Sequence, residues 1–389
     1  MSTDDRHAPR RTSSVAVTVV FLLAVWSAAP AAACPFCTAL KPTLCQRRES
    51  AQFVALGELQ KHSGDAAEFL LHDVRKGAGR LKRGESAKLL VKVKQSAGTL
   101  VLLFGEGAAG DPPARLRWTA QPVNETSYAY FARAPSLRKS APERLAYFAP
   151  RLEHADPLVA EDAWQEFGHA PYDDVAKVAD RLSASRLRAW LVDEGVPQTR
   201  KGFYGMALGI AGPLSADGLD NAAFLRSLIL RPADDFRAGF DGVLAGYLLA
   251  TGQQGLTLIE DRYLANPKAA VGDVRHAMSA LRFYHESGRE IPARRLAEAL
   301  RHALARPEFA AEAITDLARW RDWDALPLVA PLYDRKGFTD SDIRRAIVGY
   351  LLVCPRPRAA ERLAELRRRD PEGIAAAEKA LTALGTAKQ

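Results

Sequence analysis

The sequence lacks the motifs by which the common catalytic sites are recognised. It contains neither H-E-x-x-H nor G-x-S-x-G, and its eight histidines never stand four residues apart on one predicted helix. These absences exclude the usual zinc-protease and serine-hydrolase arrangements, because both need their catalytic side chains at fixed spacings. We therefore expect a non-enzymatic protein with no catalytic residue, no cofactor and no metal site. An enzyme whose site lies in the helical half, invisible to motifs, stays an alternative.

Long apolar runs are also scarce. The run at residues 15–26 is too short to cross a bilayer, which takes about 20 residues. It follows three arginines between residues 6 and 11 and precedes the small residues 31–33, an order typical of a secretory signal peptide. We predict that residues 1–33 are removed, that the protein is exported to the periplasm or secreted, and that the mature chain has no transmembrane span.

Cysteine is rare: the chain has four, of which Cys34, Cys37 and Cys45 cluster behind the predicted signal peptide and Cys354 stands alone. In an oxidising compartment, one disulfide within the cluster is the default expectation. The leftover cysteine has three alternatives, which are to pair with Cys354, to remain free, or, at Cys34, to carry a lipid anchor. The spacing does not choose among them.

Cys34 and Cys37 have the C-x-x-C spacing of thioredoxin-type redox pairs, but no strand precedes them. Haem attachment needs His after the second cysteine, where this chain has Thr38, and no second ligand pair completes a zinc site. We predict a structural staple. A thiol-dependent role of this pair, in disulfide exchange or metal capture, is the alternative.

Acidic residues are in the minority, so the formal net charge is +8. The basic charge is spread along the chain without a nucleic-acid-binding motif, so we expect no nucleic-acid partner. A protein partner is expected, with an acidic polymer or an envelope surface as the alternative. Eight lysines and arginines fall between residues 75 and 94. A solvated sheet edge explains them, and a polyanion-binding face is the alternative.

Short apolar segments separated by turns indicate strands after a cysteine-bearing segment at 34–48. Within residues 49–132, the run at 100–104 is uniformly apolar, as expected for a central strand buried on both sides. An apolar strand is also predicted at 53–57. Such a pattern predicts a small β-barrel-like domain, followed by a linker at 133–140.

From residue 141 to residue 389 the apolar residues recur at helical spacing. The pattern predicts helix pairs with a period of roughly 35–45 residues, which favours HEAT-like repeats over tetratricopeptide repeats, while a non-repeating bundle stays the alternative. Gly246-Tyr247-Leu248-Leu249 recurs at 349–352 near the end of a predicted helix. The first helices of the pairs are predicted at 156–169, 200–212, 235–250, 270–286, 308–319 and 339–353.

Two further patterns invite functional interpretations that we do not favour. Residues 105–110 match G-x-G-x-x-G, but Pro112 and Pro113 follow where a dinucleotide site needs a helix, so we predict a hairpin or loop. Glu161, Asp162 and Glu166 suggest paired acids, but their helical spacing favours a solvated face.

The densest polar and aromatic cluster lies at 316–323. Arg319, Trp320 and Trp323 could form a binding ridge, since Trp and Arg often anchor protein interfaces. The alternative, which we favour, is a network of arginines and carboxylates between repeats beside packed tryptophans.

Several segments occur together in a characteristic order. The cysteine cluster and the strand-rich region are followed by R-L-A-Y-F at 144–148, D-A-W-Q-E-F at 162–167, S-A-L-R-F at 279–283 and D-L-A-R-W at 316–320. In this order the mature chain resembles a group of uncharacterised exported proteins of the planctomycete type. The resemblance implies export and the two-part architecture.

A cysteine-led N-terminus before a small barrel is similar to netrin-like and metalloproteinase-inhibitor domains of the OB type. By position, Cys34 would match the terminal cysteine with which those inhibitors ligate a protease zinc. No cysteine follows Cys45 within the β segment, which departs from that family's disulfide pattern.

Together these observations predict an α+β multidomain protein, with an OB-like barrel followed by an α-helical HEAT-like solenoid. We expect an exported binding or scaffold protein of the cell envelope, which uses the surface of the helical repeats for protein interaction.

Overall fold

The computed structural model describes residues 34–37, 40–108, 110–214, 218–232 and 237–386. The predicted signal peptide lies outside the described residues. One antiparallel sheet lies towards the N-terminus of the described chain, and helices make up most of the remainder. The predicted α+β class is confirmed.

Five antiparallel strands form the sheet in the order β3-β2-β1-β4-β5. Their bounds are β1 Phe53–Ser63, β2 Ala66–Lys76, β3 Ser86–Leu90, β4 Leu100–Glu106 and β5 Arg117–Pro122. β1 is longer than the predicted strand at 53–57, because it continues as exposed polar residues towards its hairpin with β2. The G-x-G-x-x-G segment begins at the end of β4 and connects it to β5, so the prediction of a hairpin is confirmed.

The sheet curls into a half-barrel around its own apolar core. Three register shifts along β1 interrupt its pairing with β2, and such bulges bend a strand and increase its twist. The concave side is filled by large apolar side chains. These include Phe53, Leu59, Phe69, Leu103 and Trp118.

Seventeen α-helices lie within the described part of the chain. Their bounds are α1 Leu44–Ser50, α2 Glu125–Arg133, α3 Ala141–Phe148, α4 Pro157–Gly168, α5 Tyr172–Ala176, α6 Ala184–Val192, α7 Gln198–Ile210, α8 Asn221–Leu230, α9 Phe240–Thr251, α10 Gln253–Ile259, α11 Val271–Ser287, α12 Ala293–Arg301, α13 Pro307–Arg319, α14 Leu326–Val329, α15 Ser341–Val353, α16 Pro357–Arg369 and α17 Pro371–Thr386. Proline occupies the first position of α4, α13, α16 and α17, where a missing N–H removes no helical hydrogen bond.

The six predicted first helices correspond to α4, α7, α9, α11, α13 and α15. From α7 onwards, the odd-numbered helices contact one another in chain order as far as α17. Each packs its apolar face on the previous and the next one, with shorter helices between them. Within the segment predicted to be strand-rich, residues 125–133 form helix α2 instead, because Asn124 caps its N-terminus and exchanges hydrogen bonds with Ser127.

The convex face of the sheet joins the core of the helical part. Val54, Leu102 and Phe104 belong to the same buried cluster as residues of the helices, and Phe104 meets Phe131 of α2 edge to face at 6.0 Å between ring centroids. β4 is therefore buried on both sides, as its uniformly apolar sequence predicts.

Helices α7 and α9 cross at backbone contact. A Cβ atom built on Gly242 would lie 1.9 Å from the carbonyl oxygen of Gly202, and one on Gly246 would lie 1.9 Å from that of Gly205. Real Cβ atoms do not approach so closely, so this crossing requires glycine on both helices. Among the described residues, no helix combines the length and apolarity needed to cross a membrane.

Candidate functional site

The C-x-x-C segment is packed into the helical core rather than displayed on the surface. Cys34 and Cys37 lie at disulfide distance, with their Cα atoms 5.4 Å apart. The Cys34 N–H donates to the Gly168 carbonyl at 3.0 Å. Phe36 is buried and meets Phe283 of α11 at 5.0 Å between ring centroids. The hydrogen bond and the ring contact attach this segment to α4 and α11, and the cysteine pair closes the segment on itself, as a structural disulfide does.

Cys45 and Cys354 are both buried and unpaired. Of the alternatives for the leftover cysteine, the structure therefore shows Cys45 as a free thiol. Burial, reinforced by the nearby Glu166 carboxyl, raises the pKa of the Cys45 thiol far above its usual range. A thiol that stays protonated is a poor nucleophile and a poor metal ligand.

The prediction of a solvated face for the acids of α4 is wrong. Asp162 and Glu166 are 5% and 2% exposed. Asp162 accepts hydrogen bonds from the Leu44 N–H at the start of α1 and from the Tyr130 hydroxyl, both at 2.6 Å. The carboxyl thereby joins α1, α2 and α4. Burial raises the pKa of Asp162 to about 6, even though both hydrogen bonds lower it.

Glu161 lies at the edge of the same helix and belongs to a second network. It accepts from Arg200 at 2.6 Å, and Arg200 also binds Glu153 with one nitrogen 2.9 Å from each carboxylate oxygen. Arg200 is almost fully buried, so this network holds α4 against α7.

The basic segment at 75–94 is partly engaged within the protein. Arg75, Lys76 and Arg80 donate to the backbone carbonyls of Ala132, Glu49 and Asp111, at 2.7 to 2.8 Å. Arg75 and Lys76 thereby join the end of β2 to α2 and α1, and Arg80 joins the connection after β2 to the connection between β4 and β5. The remaining lysines include those on and after β3, which is an edge strand as the solvated-edge interpretation predicts.

The two tryptophans of the predicted ridge occupy different surroundings. Trp320 lies flat against His285 of α11, with ring centroids 4.4 Å apart. Trp323 is half-buried and meets Tyr350 of α15 at 5.5 Å. Arg319 is exposed, with a long ion pair of 3.7 Å to Asp316.

Arginines and carboxylates between successive helices accompany these tryptophans. Arg282 of α11 binds Asp316 of α13 at 2.5 Å. Arg301 of α12 holds both carboxylate oxygens of Asp322, at 2.6 and 2.7 Å. Ion pairs therefore join neighbouring helical segments beside the tryptophans, as the favoured alternative expects; that these segments are repeats stays a prediction.

Trp323 nevertheless lies between two open surface depressions of about 600 and 620 Å³. Arg319 and Trp323 line the first one, so the structure brings together two of the three predicted ridge residues and places Trp320 elsewhere. We call this the Trp323 surface. Four arginines and two carboxylates line it beside apolar residues, namely Ala318, Arg319, Arg321, Trp323, Asp324, Leu326, Pro327, Gly349, Val353, Pro355, Arg356, Pro357, Arg358 and Glu361.

Positive charge and apolar exposure coincide on the Trp323 surface. All four of its arginines are exposed, and Val353 is 59% exposed. Arg356 pairs with Asp324 at 3.2 Å. Arg321 adopts a left-handed backbone conformation (φ 58°) that is uncommon outside glycine.

Nowhere in the described part of the chain do three or more His, Cys, Asp or Glu side chains form a group able to hold a metal ion. The arrangement at the Trp323 surface can bind, through guanidinium groups and apolar contacts, but brings no nucleophile beside a base.

Comparison with known proteins identifies no family. No protein-family model matches the chain, and no curated protein matches it. A solved structure of human deoxyhypusine hydroxylase in complex with glycerol is similar over 66% of this chain and 95% of that one, at 16% identity and a TM-score of 0.27. A TM-score this low carries no argument about fold or activity.

Sequence reasoning missed the buried acids of α4 and the short helix α1. A signal for α1 was present, because Thr43 and Gln46 have the spacing of a capping box and form one. No local signal marks Asp162 as buried, since its partner Leu44 lies 118 residues earlier in the chain.

Proposed function

We propose that this is an exported binding protein of the cell envelope, in which a HEAT-like helical array presents the Trp323 surface to a protein partner. The observation that carries the proposal is the coincidence of one half-buried tryptophan, exposed apolar residues and four exposed arginines, two at the end of α13 and two at the start of α16. Interfaces are enriched in Trp and Arg, which supply most hot spots.

The packing order of the helices supports the array. In repeat proteins each unit contacts mainly its neighbours in the sequence, and the odd-numbered helices from α7 to α17 follow that rule. The strand order supports an OB-like barrel that is open between β3 and β5.

The surface suits a partner segment that is acidic and carries an apolar side chain. Arg321 and Arg358 have no ion pair among the described residues, and both are exposed. Carboxylates of a partner would form charge-assisted hydrogen bonds with them, while an apolar side chain fills a depression beside Trp323.

The C-x-x-C segment supports a role in stability rather than in exchange. Cys34 is 5% exposed, and a sulfur joined to Cys37 cannot also carry a lipid thioether. We propose a protein without a lipid anchor at Cys34. The thiol-dependent alternative requires Cys34 for function, whereas binding at the Trp323 surface should survive Cys34→Ala.

A photo-crosslinking amino acid at position 361, which lines the second depression and is not one of the proposed anchors, tests the proposal in the organism that makes the protein. We expect an adduct of defined mass that Trp323→Ala abolishes. Trp320→Ala is the matched control, because Trp320 is also half-buried but lies outside both depressions. A crosslinker at Arg294, which is exposed on α12, should give no such adduct. The proposal is refuted if the adduct persists in Trp323→Ala or if no adduct forms at position 361.

A further inference from the structure

A separate cleft of about 700 Å³ lies between α1, α4 and the neighbouring strands β4 and β5. None of its lining residues belongs to the Trp323 surface. Its volume is in the range typical of small-molecule sites. Its lining residues are Lys41, Pro42, Leu44, Gln46, Arg47, Ser50, Glu106, Thr119, Gln121, Leu158, Glu161, Asp162 and Gln165.

Arg47 reaches across this cleft in a fixed position. Its guanidinium carbon lies 4.1 Å from the centroid of the Phe104 ring, and one of its nitrogens donates to the Thr119 hydroxyl at 2.9 Å. These two contacts fix the plane of the Arg47 guanidinium. They leave further N–H donors of that group able to bind a ligand. Among the described residues, no carboxylate lies within ion-pair distance of Arg47.

The carboxylates that line the cleft are each engaged elsewhere. Glu106 pairs with Arg117, which is itself 79% exposed. Glu161 is bound by Arg200 and by the amide of Gln165. Each Asp162 oxygen already accepts one hydrogen bond, from the Leu44 N–H and from the Tyr130 hydroxyl.

Burial removes water from the half-buried Arg47 guanidinium, and the carboxylates of Glu106 and Asp162, which lie beyond ion-pair distance, offset this cost only in part. Burial indeed lowers the pKa of Arg47. The unused donors of its fork match the two oxygens of a carboxylate. The second cation in the lining, Lys41, is exposed and interacts with the Glu161 carboxylate. The anchor is therefore one guanidinium, which suits a monoanion better than a phosphate, since phosphate usually recruits several cations or a helix N-terminus.

We propose that this cleft binds a small organic carboxylate, with Arg47 as the anion anchor. Thr119 and Gln121 lie on the sheet side of the cleft, and Gln46 and Ser50 lie on α1, so polar groups are available to orient the rest of the ligand. The apolar surface of Leu158 and Pro42 accommodates its hydrocarbon part. This inference is independent of the Trp323 surface.

Binding of N-acetylphenylalanine, benzoate and hippurate, each compared with its primary amide, tests the proposal by calorimetry and ligand-observed NMR. We expect at least one acid to bind the wild-type protein at least about tenfold more tightly than its amide, as the loss of a charged hydrogen-bonded pair implies. Phenyl phosphate, and one peptide with either a free or an amidated C-terminus, are tested separately. They show whether the cleft prefers a phosphate or a peptide C-terminal carboxylate to the small acid. We expect the small acid to bind more tightly than either.

Arg47→Gln should abolish the preference for the acid, whereas Arg294→Gln should retain it within about threefold, because Arg294 is exposed on α12, pairs with Glu298 and does not line the cleft. Gln121→Glu offers a second variant that leaves Arg47 in place. It introduces a carboxylate into the cleft and should weaken acid binding about tenfold. The proposal is overturned if no acid is preferred over its amide, if Arg47→Gln binds like the wild type while folded, or if phenyl phosphate or the peptide binds best.

Discussion

At the scale of single residues, Asp162 shows how a buried group can join three elements and still oppose folding at neutral pH. Its carboxyl receives one N–H and one hydroxyl, which fix α1 and α2 against α4. Desolvation of the charged form outweighs both hydrogen bonds, so its pKa in the folded protein is about 6 instead of 3.8. The folded state therefore binds more protons than the unfolded state between these two values.

Because of this difference, the contribution of Asp162 to the free energy of unfolding is fully present below about pH 4 and is lost as pH rises through about 6. Between pH 4 and pH 7, we expect the free energy of unfolding of Asp162→Asn to rise by up to about 3 kcal/mol relative to that of the wild type. Urea unfolding of both proteins across that range measures the gain.

Asp65→Asn is the control, since the Asp65 side chain is 72% exposed and its pairing with Lys92 is at the surface. The difference in free energy of unfolding between Asp65→Asn and the wild type should stay nearly constant with pH. A constant or falling difference for Asp162→Asn would contradict this explanation.

At the scale of elements, the crossing of α7 and α9 sets a strict requirement on side-chain size. Gly202, Gly205 and Gly209 on α7 have the same spacing as Gly239, Gly242 and Gly246 at α9. A Cβ on Gly209 would lie 2.2 Å from the carbonyl oxygen of Gly246. At Gly205, Gly209, Gly242 and Gly246 the nearest atoms are all backbone, so no side chain can move aside there.

The recurring G-Y-L-L segment provides a matched pair of variants in identical local sequence. Gly246→Ala should lower the free energy of unfolding by about 3 kcal/mol or more, because its Cβ would clash with backbone. Gly349→Ala should instead be neutral or stabilise by up to about 1 kcal/mol, since its Cβ meets only Leu381 side-chain atoms at 3.4 and 3.6 Å. Denaturant midpoints at constant m-value measure both changes. Equal effects of the two substitutions would show that the close crossing does not exist.

Elements were more predictable from the sequence than contacts between them. The six first helices were located to within a few residues because each carries its apolar stripe locally. Helix α2 was missed, since the apolar residues of a short segment fit both the helical period of 3.6 residues and the strand period of 2. The buried state of Asp162 and the crossing of α7 and α9 depend on partners remote in sequence, which periodicity does not reveal. The domain bounds and the repeat assignment stay predictions.

At the scale of the whole molecule, the segment at 34–37 connects distant parts of the chain. Phe36 contacts α11 through Phe283 and approaches Gly202 of α7, where a Cβ would lie 3.1 Å from that of Phe36. The staple between Cys34 and Cys37 closes only a short loop, so it constrains the unfolded chain little. We infer that the buried ring, rather than the disulfide, supplies most of the attachment.

Phe36→Ala should therefore lower the free energy of unfolding by about 3–5 kcal/mol, whereas reduction of the disulfide should lower it by about 2 kcal/mol. Urea unfolding with and without reductant separates the two. Pro35→Ala is the control, because Pro35 is exposed between the same cysteines. A larger loss on reduction than in Phe36→Ala would assign the attachment to the disulfide instead.

The contact between Phe36 and Phe283 also has a consequence for synthesis on the ribosome. The two residues are separated by about 250 positions, which a ribosome translates in roughly 12–50 s at ~5–20 residues per second. Throughout that interval α11 has not been synthesised, so the Phe36 ring lacks its partner Phe283. If the chain is exported before it folds, the contact between Phe36 and Phe283 forms only after both residues have crossed the membrane.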